Sequence, residues 1–82
     1  MSDEKQIAKI GLDEDGAPTM KEPIFVSISD FRNNKYLNIR KYYEVEGEWR
    51  PTKKGIALSY KNFKELLNVL NENADKIEEW MK

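Results

Sequence analysis

At Leu58–Ser59 the hydrophobic pattern of this chain changes period, and that change dictates most of what the chain can fold into. Upstream, Ile24, Val26 and Ile28 alternate with Phe25, Ser27 and Ser29, the period of two expected of a half-buried strand. Downstream, Phe63, Leu66, Leu67, Leu70, Ala74, Ile77 and Met81 follow the 3/4 spacing of an amphipathic helix, with no Gly or Pro among them. Ser59 is placed to cap that helix, and Leu58 and Phe63 to staple its first turn. A helix of about 22 residues is roughly 33 Å long, whereas a four-stranded sheet is about 15 Å wide. The distal turns therefore need a second surface; another copy of the helix is the economical one, and a loop of the same chain is the alternative. The stripe that would meet it is Leu66, Leu70, Ala74, Ile77, Trp80 and Met81.

The meander before the helix divides at turn signals. Asn33-Asn34 suits a tight hairpin because Asn tolerates positive φ. The next strand, Lys35 to about Tyr43, places Leu37 and Ile39 inward and Tyr36, Asn38, Arg40 and Tyr42 outward. Glu46-Gly47 turns the chain into a short third strand, Glu48–Arg50, which Pro51 should confine to an edge or end. Lys53-Lys54-Gly55 leads to a last strand, Ile56–Leu58. Residues 1–22 read as an acidic, largely flexible tail, in which Ile7–Leu12 either adds an edge strand or stays loose. Asp13-Glu14-Asp15-Gly16 signals a turn and has too few alternating oxygen ligands for a calcium loop. The folded domain is expected over 23–82.

At 82 residues the chain holds one domain. A folded unit of about 60 residues buries only about 60% of its unfolded surface, and no cysteine or histidine is present to staple it by disulfide or zinc. Oligomerisation is the remaining device, so a homodimer is expected. Without His or Cys, no Ser-His or Cys-His nucleophile system can form. The pairs Glu14/Asp15 and Glu78/Glu79 sit in charged segments, where carboxylates gain no useful pKa. The expectation is no enzyme, no cofactor and no metal. Neither a signal peptide nor a run of roughly 20 apolar residues is present, so an intracellular protein, cytoplasmic or nucleoid-associated, with no membrane partner is expected.

The charge distribution names a partner. Residues 23–58 carry seven basic and four acidic residues inside a chain whose net charge is -1. Phe31, Tyr36, Tyr42, Tyr43 and Trp49 lie in the same stretch, and strand parity sets Phe31 on the polar side. That ring either packs under a loop or a dimer partner or stands ready to stack. Cations interleaved with flat rings suit a flexible polyanion with exposed bases: phosphates meet the charges and bases stack on the rings. Single-stranded nucleic acid is the leading reading.

The run V-S-I-S-D-F-R-N-N-K-Y-L-N-I-R-K-Y-Y, then E-G-E-W-R-P-T-K-K-G-I-A-L-S and a helix, resembles the C-terminal domain of the transcriptional coactivator family positive cofactor four, from about Ile24 to Leu70. The resemblance implies an α+β fold, a curved four-stranded antiparallel sheet followed by one long helix, homodimeric through that helix. It implies non-sequence-specific binding of single-stranded DNA in channels formed by the two sheets, in transcription, replication or repair. Carried over by position, the stacking aromatics are Phe31 and Tyr43, and the phosphate-facing cations are Arg32, Arg40, Arg50, Lys53 and Lys54. Lys35 compensates for Asn34, which stands where eukaryotic members carry lysine. Ser29 replaces a basic residue, the loop before Gly47 is one residue shorter, and a regulatory tail rich in serine and lysine is missing, which points to a bacterial, archaeal or phage type. Parity favours Tyr42 for the open face and the resemblance favours Tyr43; both stay candidates. Two rival readings are a module bridging transcription or replication proteins through the sheet edge or helix end, and a binder of single-stranded RNA.

Overall fold

The computed structural model describes residues 3–82, so the first two residues of the expected tail lie outside it. Four strands form one antiparallel, curved sheet in chain order: β1 (Asp3–Ile10), β2 (Ile24–Phe31), β3 (Asn34–Val45) and β4 (Glu48–Leu58). Helix α1, Tyr60–Met81, follows directly. The class matches the expectation, but the four strands are not the four expected. Glu48–Arg50 and Ile56–Leu58 are two ends of one strand, β4, which runs through Pro51 and Lys53-Lys54-Gly55. β4 is an edge strand with β3 as its one neighbour, so a residue without a backbone donor is tolerated there. An irregularity absorbs the misfit: Arg40 pairs with Gly55 and Tyr42 with Pro51, leaving three residues of β4 opposite Lys41.

The fourth strand is β1, drawn from the segment expected as a tail, in which Ile7–Leu12 was the alternative edge strand; β1 does lie at an edge, and it begins earlier, at Asp3. It pairs with β2 from Asp3↔Asp30 to Ile10↔Ile24, with a bulge at Ile7. The loop after it is tied by the Asp13 carboxylate, which accepts from the backbone N–H of Asp15 (2.9 Å) and of Ala17 (2.8 Å). The first β2–β3 turn also shifts by one residue. Arg32 (φ 53°) and Asn33 (φ 65°) are its central pair, the two positive φ values of a two-residue hairpin turn. Glu46 (φ 51°) and Gly47 (φ 82°) make the β3–β4 turn as expected.

Register sorts the side chains onto two faces. Phe25, Ser27, Ser29 and Phe31 stand opposite Arg40, Asn38, Tyr36 and Asn34; Val26 and Ile28 stand opposite Ile39 and Leu37. The expected core was the second face, but burial lies on the first. Phe25 is 3% exposed, stacked on Tyr42 (4.5 Å between ring centroids) and edge-on to Trp49 (5.5 Å). Ile28 and Ile56 on the other face are 45% and 52% exposed. The reason is the helix. Among the described residues it meets the sheet only at β3 and β4 and buries none of its own residues, so most of the aliphatic face is uncovered by the helix. Ser59 caps α1 as the sequence predicts, accepting from the Asn62 N–H. Leu58 and Phe63 line a common cavity of about 600 Å³ with Ile7, Ile28 and Leu37.

Candidate nucleic-acid interface

Phe31 ends β2 and Arg32 opens the turn after it, so the two are positioned by a two-residue hairpin turn. The Phe31 ring is 47% exposed, and the Arg32 guanidinium lies 5.1 Å from its centroid. A cation over a ring face is attracted by the ring quadrupole, which holds the charge beside a flat apolar ring that is about half open to solvent. The Asn34 side-chain amide donates to the Arg32 carbonyl (3.3 Å) and braces the turn.

Six residues along β2, about 20 Å away, Arg40 stands on the same face. Its guanidinium donates to the Thr52 carbonyl (2.9 Å), and its stem lies across Gly55. A Cβ at Gly55 would come within 2.8 Å of the Arg40 guanidinium carbon and 2.9 Å of its Cβ, so glycine leaves the room that Arg40 occupies. Thr52 is itself fixed, its hydroxyl donating to the Lys41 carbonyl (2.8 Å) and accepting from the Lys54 N–H (3.0 Å). Between Phe31 and Arg40 the floor is polar: Asn38 donates to the Ser29 hydroxyl (2.8 Å) and Ser27 to the Glu4 carboxylate (3.0 Å).

The remaining candidates divide. Tyr42 shares the Phe25 face but is half-buried in the stack on Phe25. Tyr43 is 41% exposed and pairs with Arg50. By alternation both point to the opposite side from Tyr42, in a two-stranded ribbon of β3 and β4 that projects beyond β2. Such ribbons twist more strongly than sheet interiors. Arg50 is ion-paired with Glu48 at 3.5 Å. Lys53 is exposed. Lys54 contacts Glu22 at 3.1 Å and borders a groove with Ile24, Ile39 and Ile56. Lys35 pairs with Asp30 and lines the cavity shared with Ile28 and Leu37, not the Phe31 side. Phe31, Arg32, Arg40 and Tyr42 therefore share one surface, while Lys35, Tyr43, Arg50 and Lys54 border the aliphatic side or the ribbon. Sequence reasoning omitted Phe25, the ring that organises this face. Its parity with Ser27, Ser29 and Phe31 was the available signal.

The helix residues proposed for self-association are open: Leu70, Ile77, Trp80 and Met81 are 47%, 40%, 86% and 74% exposed, and Ala74 is exposed beside a half-buried Leu66. Among the described residues no helix is long and apolar enough to cross a membrane.

Residues 20–69 match the family model described as Transcriptional Coactivator p15 (PC4). The chain is 47% identical over 51 residues to a Neurospora crassa protein named "Putative RNA polymerase II transcriptional coactivator", a match covering 61% of this chain and 30% of that one. It is 43% identical over 53 residues to a Drosophila melanogaster protein named "RNA polymerase II transcriptional coactivator", covering 65% of this chain and 48% of that one. The match thus spans less than half the length of either curated relative. No solved structure gives a significant match.

Proposed function

The chain belongs to the Transcriptional Coactivator p15 (PC4) family, a family of non-enzymatic transcription cofactors, and on that premise we propose that it binds single-stranded DNA without sequence preference as a homodimer. The observation that carries this reading is the Phe31–Arg32 pair: an open ring with a cation 5.1 Å from its centroid, at one end of a face whose other end holds Arg40. Unpaired bases stack on the ring, and phosphates meet the guanidinium groups. Tyr43 with Arg50, Lys53 and Lys54 extends the contact along the β3–β4 ribbon, and Lys35 adds a charge at the hairpin. The process served is transcription, with opened DNA as the substrate, and the protein works inside the cell wherever transcribed DNA is held.

Shape supports the homodimer. The radius of gyration is 14.6 Å, against about 12 Å for a compact domain of this length. The chain exposes 7073 Å², where a compact monomer of its 9.7 kDa mass exposes about 5100 Å². Burying the excess on two copies would remove roughly 4000 Å² in total, inside the range of obligate homodimers. The stripe Leu66, Leu70, Ala74, Ile77, Trp80 and Met81 and the open aliphatic side of the sheet are the surfaces that a second copy would cover.

Fluorescence polarisation of labelled single-stranded DNA, duplex DNA and RNA at two salt concentrations tests the proposal. Four phosphate contacts per protomer give a slope of log affinity against log salt near -3, at about -0.7 per contact. Duplex should bind more weakly because its bases are already stacked. A preference for RNA that vanishes when 2′-hydroxyls are removed would move the substrate to RNA. A flat salt response would show the basic face to be only solvated surface.

A further inference from the structure

β1 lies before the family-matched residues 20–69, yet it forms one margin of the Phe25 face. Register sets Glu4 opposite Ser29, Gln6 opposite Ser27 and Lys9 opposite Phe25. The strand's two charges on this face therefore stand five residues apart, about 17 Å in extended chain. Lys9 Nζ is 5.4 Å from the centre of the Phe25 ring, and Arg40 occupies the opposite side of the same rung. Two cations thus flank one buried ring. Arg40 is anchored by the Thr52 carbonyl, and among the described residues no carboxylate is ion-paired with Lys9. Glu4 stands toward the Phe31 end, its carboxylate held by the Ser27 hydroxyl.

We infer that β1 is an added part of the nucleic-acid interface, in which Lys9 contacts phosphate together with Arg40 and Glu4 repels the polyanion from the opposite end of the strand. The inference rests on the reading of this face as a single-strand site. Lys9 and Glu4 divide the strand by charge: a backbone lying across the Lys9–Phe25–Arg40 rung gains two cations, and one drifting toward Glu4 meets a fixed negative charge. β1 thereby sets where the strand crosses the sheet, a role that the matched segment does not supply. The competing explanation for Lys9 is that its aliphatic stem merely covers Phe25, since lysine stems commonly lie along apolar surface with the charge in water.

Substitution separates the two. Lys9→Met keeps an unbranched stem and removes the charge, Lys9→Arg keeps the charge, and Glu4→Gln keeps an acceptor for Ser27. Affinity for an oligothymidine is measured against salt, with thermal unfolding recorded for each variant. Lys9→Met should lower the salt slope by about 0.7, which is about fivefold in affinity between 1 M and 0.1 M salt. Lys9→Arg should restore it, and Glu4→Gln should tighten binding at low salt. Opposite signs on one strand cannot come from lost stability alone. Oligothymidine binding by the unmodified protein with an unchanged slope in Lys9→Met overturns the role of Lys9, and unchanged affinity in Glu4→Gln overturns that of Glu4; either leaves the reading of the Phe31 end standing. No binding by the unmodified protein overturns both readings together.

Discussion

Phe25→Ala should unfold this protein near ambient temperature, although Phe25 lies on the face that the sequence marks as polar. Among the described residues it is the one buried large hydrophobe, at 3% exposure. Removing a buried phenylalanine costs about 3–5 kcal/mol, part lost transfer energy and part the cavity left behind. The stack on Tyr42 and the edge contact with Trp49 are each worth about 0.5–1.5 kcal/mol beyond area burial, which places the cost toward the upper end. Small domains hold only about 5 kcal/mol or little more in total. At about 4–8 °C per kcal/mol for a domain of 60–100 residues, even the lower figure lowers Tm by more than ten degrees. Circular dichroism melting at one fixed protomer concentration measures this, because association makes Tm depend on concentration. A drop of less than about 5 °C would refute the placing of the core on this face.

Gly55→Ala should force Arg40 off the Thr52 carbonyl, because the new Cβ would lie 2.8–2.9 Å from Arg40 atoms; an overpacking loss of about 1–3 kcal/mol by denaturant melting, with weaker single-strand binding, is the expected pair of readouts. Ile77→Asp should convert a sedimenting dimer to monomer, since an unpaired charge buried at an interface costs about 3–5 kcal/mol; a monomeric unmodified protein at micromolar concentration would contradict the dimer. Lys54→Ala breaks only an exposed pair with Glu22, so melting should move by less than about 1 kcal/mol while the salt slope of binding falls by about 0.7.

Much of this architecture is legible in the chain because local signals and the fold agree. The switch to 3.6 periodicity at Ser59, the cap, the staple residues and the Glu46-Gly47 turn each follow from nearest neighbours. What is not legible depends on partners far away in sequence. β4 reads as two short strands because Pro51 and Lys53-Lys54-Gly55 break its alternation; what holds it together is pairing with β3 on one side only. The first half of β1 reads as a tail because Asp3-Glu4-Lys5-Gln6 has no apolar alternation, while Ile7–Ile10 lies in the patch that offered an edge strand as one alternative; the place of the whole strand is set by backbone pairing with β2. Alternation identified the aliphatic side of β2 correctly, but it carries no information on whether one chain can cover that side.

The candidate site divides in the same way. Phe31 and Arg32 are adjacent in sequence, so their pairing is readable there. Arg40 lying across Gly55, and Lys54 held by Glu22, require the register of three strands. The turn at Arg32–Asn33 was readable only to within one residue, since any two neighbours of the Arg-Asn-Asn run can take positive φ when a hairpin demands it.

The most direct test of the account is the affinity of Phe31→Ala for an oligothymidine, measured by fluorescence polarisation beside its melting temperature. The exposed ring at the β2–β3 turn should contribute stacking rather than core packing. Affinity should therefore fall by about 1–3 kcal/mol, from several-fold to more than a hundred-fold, while Tm stays within a few degrees of the unmodified protein. Unchanged affinity with a sharply lowered Tm would show that Phe31 packs against protein, and would contradict base stacking on this face.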